Sequence, residues 1–253
     1  MTPPRLLVRN LSVDRGGRPV LAALDFSLPA GVWSGLIGVN GSGKTTLLSA
    51  LAGRLPTRDG VVALDGVPLA APKDRAGGIG LSVPAERLPE APTVARLLAE
   101  VARAHGAEVR PARLDALWRA LALDEIAERP IRILSAGQRQ RLGLYLPFMG
   151  DPRVVLLDEP FNALDPLIAF DLKTALRGLA ADGLTIMTAL HDLATVALHC
   201  GHGLLLSHGR LVETFGTEAL AEARRNPSAF EAEVLERWRR AETRQRTAAP
   251  GVV

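Results

Sequence analysis

The chain has 253 residues, 47% of them hydrophobic, which is enough for one sizeable core. A formal net charge of +3 is too small to argue for a nucleic-acid partner. A single cysteine, Cys200, excludes an internal disulfide framework and suits a reducing compartment. The opening MTPPRLLVRN lacks the long apolar region of a signal peptide. No run approaches the roughly 20 apolar residues of a membrane span. The expectation is a cytoplasmic protein that reaches a membrane only through a partner.

Arg5 to Val13 reads as a strand, turned by Gly16-Gly17 into a second one that sets Leu24, Phe26 and Leu28 on one face. Strands this short, joined by tight turns, predict a small antiparallel sheet. An apolar run, Val32 to Ile37, then meets Gly38-Val39-Asn40-Gly41-Ser42-Gly43-Lys44-Thr45-Thr46, with a helix-like run from Thr45 to Ala52 behind it. This stretch fits G-x-x-x-x-G-K-[ST] at every position, in the strand–loop–helix context the pattern requires. Gly38, Gly41 and Gly43 let the backbone curl so that several N–H groups face one anion. The following helix start adds its partial positive charge. Lys44 would reach the β- and γ-phosphates of a nucleotide, and the Thr45 hydroxyl would hold Mg²⁺. Asp59-Gly60 and Asp65-Gly66 bracket a further hairpin strand, Val61 to Leu64, and Gly78 to Val83 reads as a buried strand.

From Pro84 to about Gly150 the pattern turns helical. Val94, Leu97, Leu98 and Val101 share one helical face, as do Leu114, Leu117, Trp118 and Leu121. Trp118 reads as a core residue. Val154 to Leu157 is a continuous apolar run suited to a strand buried on both faces. A helix (166–181), a strand (184–190), a helix (193–199) and a strand (204–207) follow, which implies a mostly parallel sheet. The chain therefore divides into 1–84, part of an α/β core with an antiparallel β subdomain; 85–150, an inserted helical subdomain; 151–223, the rest of the core; and 224–253, a charged helix trailing into a disordered tail. Arg237, Arg239, Arg240, Arg244 and Arg246 mark that last segment as solvated.

Asp158 and Glu159 close the strand 154–157. Carboxylates at the carboxyl end of a core strand, facing a phosphate loop, suit metal binding and activation of a water. Asp158 is assigned to the metal and Glu159 to the general base. Leu134-Ser135-Ala136-Gly137-Gln138 precedes them, and Ser135 is also a good N-cap for the helix that follows.

At this point the chain resembles the nucleotide-binding subunits of ATP-binding-cassette (ABC) transporters. Five elements stand in that family's order between about residues 5 and 215: the phosphate loop, the signature LSAGQ, VVLLDEP (154–160), the loop Asn162-Ala163-Leu164-Asp165, and His191 after the strand 184–190. The resemblance implies a P-loop NTPase of the ABC ATPase type that binds ATP and Mg²⁺. It further implies a head-to-tail homodimer or heterodimer that drives a separate membrane-spanning subunit from the inner face of the membrane. ATP would sit between one subunit's phosphate loop, including Asn40, Ser42 and Thr46, and the other's signature. There Ser135, Gly137 and Gln138 would serve the γ-phosphate from across the seam. His191 would sense that phosphate, and Asp165 would link the two sites.

The sequence departs from the family pattern in four places. The aromatic residue that usually stacks on adenine is absent, and Arg15 stands near its place, where the guanidinium plane can stack instead. The glutamine after the strand ending near Val83 is missing; Ala85 or Glu86 occupies that region, and only Glu86 offers an oxygen ligand. Ala136 replaces the second signature position, which together with Asp158-Glu159-Pro160-Phe161 leans towards haem-exporter-like or multidrug-exporter-like members. Pro147 predicts a kink or early end in the helix after the signature, because its ring crowds the carbonyl of Gly143. A docking surface for the membrane subunit is expected at Pro84 to Glu90. Two other functions fit the fold: a soluble ABC-type ATPase acting on nucleic acid or ribosomes, and a weakly hydrolysing regulatory subunit. The single phosphate loop and the lack of a long heptad run weigh against the first. Intact Lys44, Asp158, Glu159 and His191 weigh against the second. Cargo is not encoded in the fold.

Overall fold

The computed structural model describes residues 4–248, with side chains through residue 240. The tail expected beyond the last helix, 249–253, and the side chains of Arg244 and Arg246 lie outside what is described.

Two strands, β1 (Leu6–Arg15) and β2 (Arg18–Leu28), form the expected hairpin, and Gly16 and Gly17 supply the two positive φ angles of its turn. Strands β3 (Trp33–Ile37), β4 (Asp59–Leu64) and β5 (Val67–Pro68) follow, with α1 (Lys44–Leu51) between β3 and β4. A four-stranded antiparallel sheet has the order β2-β1-β4-β5. Beyond it come α2 (Pro72–Ala76), β6 (Ile79–Leu81), α3 (Val94–His105), α4 (Asp115–Ala120) and α5 (Ala136–Tyr145). The remainder alternates: β7 (Val154–Asp158), α6 (Pro166–Ala181), β8 (Thr185–Leu190), α7 (Leu193–His199), β9 (His202–Ser207), β10 (Arg210–Phe215), α8 (Thr217–Arg225) and α9 (Pro227–Ala248). The second sheet has the order β10-β9-β3-β8-β7-β6, parallel except for the β9–β10 pair.

The apolar runs read as doubly buried strands behave that way. Along β7, Val154 and Leu156 enter a core shared with α1 and the antiparallel sheet, while Val155 and Leu157 enter a core shared with α6 and the helical segment. Met187 and Ala189 of β8 face the first core, Ile186 and Leu190 the second. Each leucine fully removed from water stabilises the fold by about 1.5–3 kcal/mol. Both helical faces expected in the 85–150 segment are buried or packed on the second core, Trp118 included. Trp118 donates its indole N–H to Asp124 at 2.8 Å and meets Tyr145 edge-on.

Pro147 acts as its chemistry requires. Helix α5 stops at Tyr145 and tightens into a 3₁₀ turn, Leu146–Phe148. The freed carbonyl of Gly143 instead accepts the N–H of Val83 at 3.1 Å, so α5 is pinned to the loop leaving β6. A Cβ at Gly143 would stand 2.1 Å from the Val83 carbonyl, so no other residue permits this approach.

The C-terminal segment is not simply solvated, as its arginines suggested. Phe230, Val234 and Trp238, spaced four apart along α9, pack on the second core, and Phe230 meets Phe215 of β10 edge-on at 5.4 Å. Around this stripe Arg237 pairs with Glu213 of β10 and with Glu233, and Arg240 with Glu236. Elements β10, α2 and α8 had no counterpart in the sequence reading.

Candidate functional site

Strands β3, β8 and β7 are neighbours in the parallel sheet, and the site is assembled at their carboxyl ends. The loop 38–43 leaves β3, His191 follows β8, and Asp158 ends β7 with Glu159 next to it.

The glycines of the loop have distinct physical reasons. A Cβ on Gly38 would meet Ser42 Oγ at 2.3 Å. Gly43 has φ +108°, and a Cβ there would press on Leu21 at 2.7 Å. The loop is tied down by Ser42 N–H to the Val39 carbonyl (3.1 Å) and by Gly209 N–H to the Ser42 carbonyl (2.9 Å). Helix α1 starts with no side-chain cap and no acidic residue in its first turn. Its first N–H groups therefore lack side-chain partners and stand ready for an anion. Buried Lys44 lies across this start and donates to the carbonyls of Gly38 (2.6 Å) and Val39 (3.4 Å). Burial lowers the pKa of Lys44 from its ordinary value, and the charges of Glu159 and Asp158 oppose that shift. The lysine thus already senses both carboxylates.

Asp158 is held by its backbone N–H, which donates to Ser82 Oγ at 3.0 Å. Burial raises the pKa of its carboxyl, as does the Glu159 charge; a hydrogen bond with Thr45 and the charges of Lys44 and His191 work against the rise. Its Oδ1 is buried and has no hydrogen-bond partner. A buried carboxylate oxygen left unpaired beside a threonine hydroxyl is an oxygen donor set that suits a hard divalent cation, so the residues fit Mg²⁺. Glu159 adopts φ +48°, a left-handed conformation costing on the order of 1 kcal/mol in a side-chain-bearing residue. Its Oε1 lies 2.8 Å from His191 Nε2, and its Oε2 accepts Asn162 Nδ2–H at 2.6 Å. Asp192, beside His191, caps α7 by accepting the N–H groups of Ala194 and Thr195.

Two clefts flank the loop. One, of about 490 Å³, is lined by Arg15, Val39, Asn40, Gly41, Gly43, Lys44, Thr45, Thr46 and Glu159, together with Val20. The other, of about 190 Å³, contains Arg15, Thr45, Thr46, Ser82, Pro84, Arg54, Arg87 and Asp158. Arg15 lines both, at the hairpin tip where the missing aromatic residue would stand. Neither Ala85 nor Glu86 lines either cleft; Arg87 does. Ser82 and Asn162 touch the carboxylate strand end, and neither had been singled out as a site residue. For Asn162 the sequence offers its membership of the loop 162–165 and its place three residues after Glu159, within reach across one turn.

The signature lies elsewhere. Ser135 is exposed, and it lines neither cleft. Its Oγ accepts the Gln138 N–H (3.2 Å) and Gln138 Oε1 accepts the Ser135 N–H (3.1 Å), a complete capping box at the start of α5. Gly137 sits close under the loop after Glu159: a Cβ there would approach the Ala163 carbonyl to 2.8 Å. Asp165 caps α6, accepting the N–H groups of Leu167 and Ile168.

Comparison with known proteins gives the family. The family model described as ABC transporter matches residues 21–162. The hemin import ATP-binding protein HmuV of Pseudomonas aeruginosa is 37% identical over 227 residues, covering 81% of this chain and 84% of that protein. The protein of the same name from Bordetella avium is 32% identical, covering 94% and 97%. A solved structure described as the ATP-binding subunit of an ABC transporter superposes with a TM-score of 0.75 at 28% identity, covering 87% of this chain and 92% of that one. The chain belongs to the ABC transporter family, as an ATP-binding and ATP-hydrolysing subunit.

Proposed function

We propose that this subunit works as half of a head-to-tail pair, formed with a second copy or a related subunit, which closes on MgATP and reopens after hydrolysis. The observation that carries this reading is the placement of two helix starts. That of α1 opens into the clefts around the loop, whereas that of α5, with Ser135 exposed, faces neither. A signature that serves ATP must then serve another chain's phosphate loop.

In this reading Lys44 gives up its bonds to Gly38 and Val39 for the β- and γ-phosphates, and the loop N–H groups of 40–46 hold the rest. Arg15 stacks on the base. Ser135 Oγ–H and the N–H of Gly137 donate to the γ-phosphate from across the seam, with Gln138 keeping the helix start in shape. Hydrogen bonds to charged groups are worth about 1.5–3 kcal/mol each, so a few of them present only with ATP decide between open and closed pairs. Thr45 and Asp158 would hold Mg²⁺, which when bound neutralises charge on the phosphates. Glu159 accepts the proton of the attacking water as that oxygen bonds to the γ-phosphorus and the bridging oxygen leaves with ADP. His191 donates to Glu159 at rest and reaches the γ-phosphate in the closed pair. Asp165, next to the seam, relays between the two sites.

The membrane-spanning partner docks at Pro84 to Glu90 in this account. Leu88 anchors that segment in the core, while Pro84, Glu86, Arg87, Pro89 and Glu90 are exposed. Among the described residues no helix is long and apolar enough to cross a membrane, so attachment to the inner face of the membrane goes through that partner. The relatives named hemin import proteins cover four-fifths or more of this chain, and on that basis we infer import of a haem-like tetrapyrrole rather than the export suggested by Ala136.

Glu159→Gln tests the pair. It should slow turnover by about 10²-fold or more, the usual contribution of a general base, while leaving ATP affinity intact. With MgATP the slowed variant should double its mass in light scattering. A variant that stays monomeric at saturating MgATP refutes the pair. For the cargo, hemin should stimulate ATPase activity of the subunit reconstituted with its membrane partner; stimulation by other solutes but not by hemin would overturn that assignment.

A further inference from the structure

We propose that Asn162 is a positioning residue for Glu159, holding the carboxylate from the side opposite His191. The proposal rests on the reading of Glu159 as the general base.

Both oxygens of Glu159 are engaged by side chains, Oε1 by His191 at 2.8 Å and Oε2 by Asn162 Nδ2 at 2.6 Å. The amide must present its NH₂ here, because the carboxylate can only accept. The same two residues are joined by backbone, since the Asn162 N–H donates to the Glu159 carbonyl at 3.2 Å. The Glu159 N–H in turn donates to the Ala189 carbonyl of β8 at 3.2 Å. So a four-residue turn, closed once by backbone and once by side chain, fixes a carboxylate whose own backbone is left-handed. Each oxygen keeps a second lone pair, so the clamp orients the base without blocking acceptance from water. Charge-assisted bonds of this length are stronger than neutral ones, and two of them from different directions fix the carboxylate plane.

The next residue extends the device. Ala163 also has positive φ, +58°, and its carbonyl overlies Gly137, where a Cβ would come within 2.8 Å. Residues 159–163 therefore touch the base at one end and the start of the signature helix of the same subunit at the other. Movement of α5 when the signature meets a phosphate would reach Glu159 through Asn162.

The test is steady-state ATPase kinetics and nucleotide affinity of Asn162→Ala, Asn162→Ser and Asn162→Asp, each alone and in the Glu159→Gln background. Asn162 is exposed, so these variants do not threaten the core. Asn162→Ala should lower kcat about tenfold, less than the roughly 10²-fold that a full ångström of misplacement can cost, with ATP affinity unchanged. Asn162→Asp should lower kcat further, because it sets a second carboxylate against Glu159. Asn162→Ser, which keeps a short donor, should recover part of the loss. In the Glu159→Gln background Asn162→Ala should add little, because its effect runs through the base. Unchanged kcat in Asn162→Ala overturns the proposal, as does a full effect persisting in Glu159→Gln. Near wild-type turnover of Glu159→Gln alone would instead overturn the base reading beneath it.

Discussion

Helices α1 and α5 begin in opposite ways. The first start has no side-chain cap and no acidic residue, and a buried lysine lies across it, bonded to loop carbonyls. The second closes on itself through Ser135 and Gln138. A bare start leaves N–H groups unsatisfied and costs stability until an anion arrives. A capped start stands alone at no such cost and still offers the Ser135 hydroxyl hydrogen, because in the cap that oxygen only accepts. The contrast separates two jobs. One helix start is built to be completed by a ligand. The other is built to be stable while it waits for a partner's ligand.

If that division holds, Lys44→Ala should do the most damage to binding. It removes one or two hydrogen bonds to charged phosphate, each about 1.5–3 kcal/mol, and should weaken ATP about 100-fold by calorimetry. Unchanged affinity would mean that α1 needs no anion. The signature should respond differently to two substitutions. Ser135→Ala loses the cap, worth about 1 kcal/mol, along with the donor, so both the melting temperature and ATP-driven pairing should fall, the latter about tenfold. Ser135→Asp keeps a capping acceptor but turns a negative charge on the phosphate. Its melting temperature should hold while pairing is lost more completely than in Ser135→Ala. Equal pairing in the two variants would reduce Ser135 to a cap.

The smallest expected effect lies away from both helix starts and calibrates them. His202 of β9 is buried, its Nδ1 has no hydrogen-bond partner, and burial lowers its pKa from 6.5. The unfolded chain then binds a proton that the folded chain resists. The associated stability is fully present above pH 6.5 and is lost as pH falls below that value towards the lowered folded pKa. Thermal unfolding should drop by a few degrees between pH 7 and 5. The drop should flatten in His202→Asn, and an equal drop there would clear His202.

The parts of this molecule that could be read in advance share one property: local pattern and chemistry point the same way. The run 154–157 is apolar on both faces and ends in two carboxylates. The loop 38–46 carries Gly38 and Gly43 where a Cβ cannot fit and Gly41 where φ is positive, and Pro147 stops α5 where its ring forbids continuation. What escaped reading depends on partners distant in sequence or on weak pattern. Strand β10 is short and half-exposed, so its alternation is faint. In α9 the stripe Phe230, Val234, Trp238 was present at helical spacing, but the arginines around it dominated the composition. His191 meets Glu159 because β7 and β8 are adjacent, a fact of topology that no local spacing carries, whereas Asn162 reaches it across one turn of its own loop.

A mixing experiment addresses the shared site most directly. Lys44→Ala lacks a working phosphate loop but keeps its signature; Ser135→Asp lacks the signature but keeps its loop. Each alone should be nearly inactive. Mixed, they form pairs containing one intact composite site, and ATPase activity should rise well above the sum of the separate variants. Activity no higher than that sum would contradict a site divided between two chains.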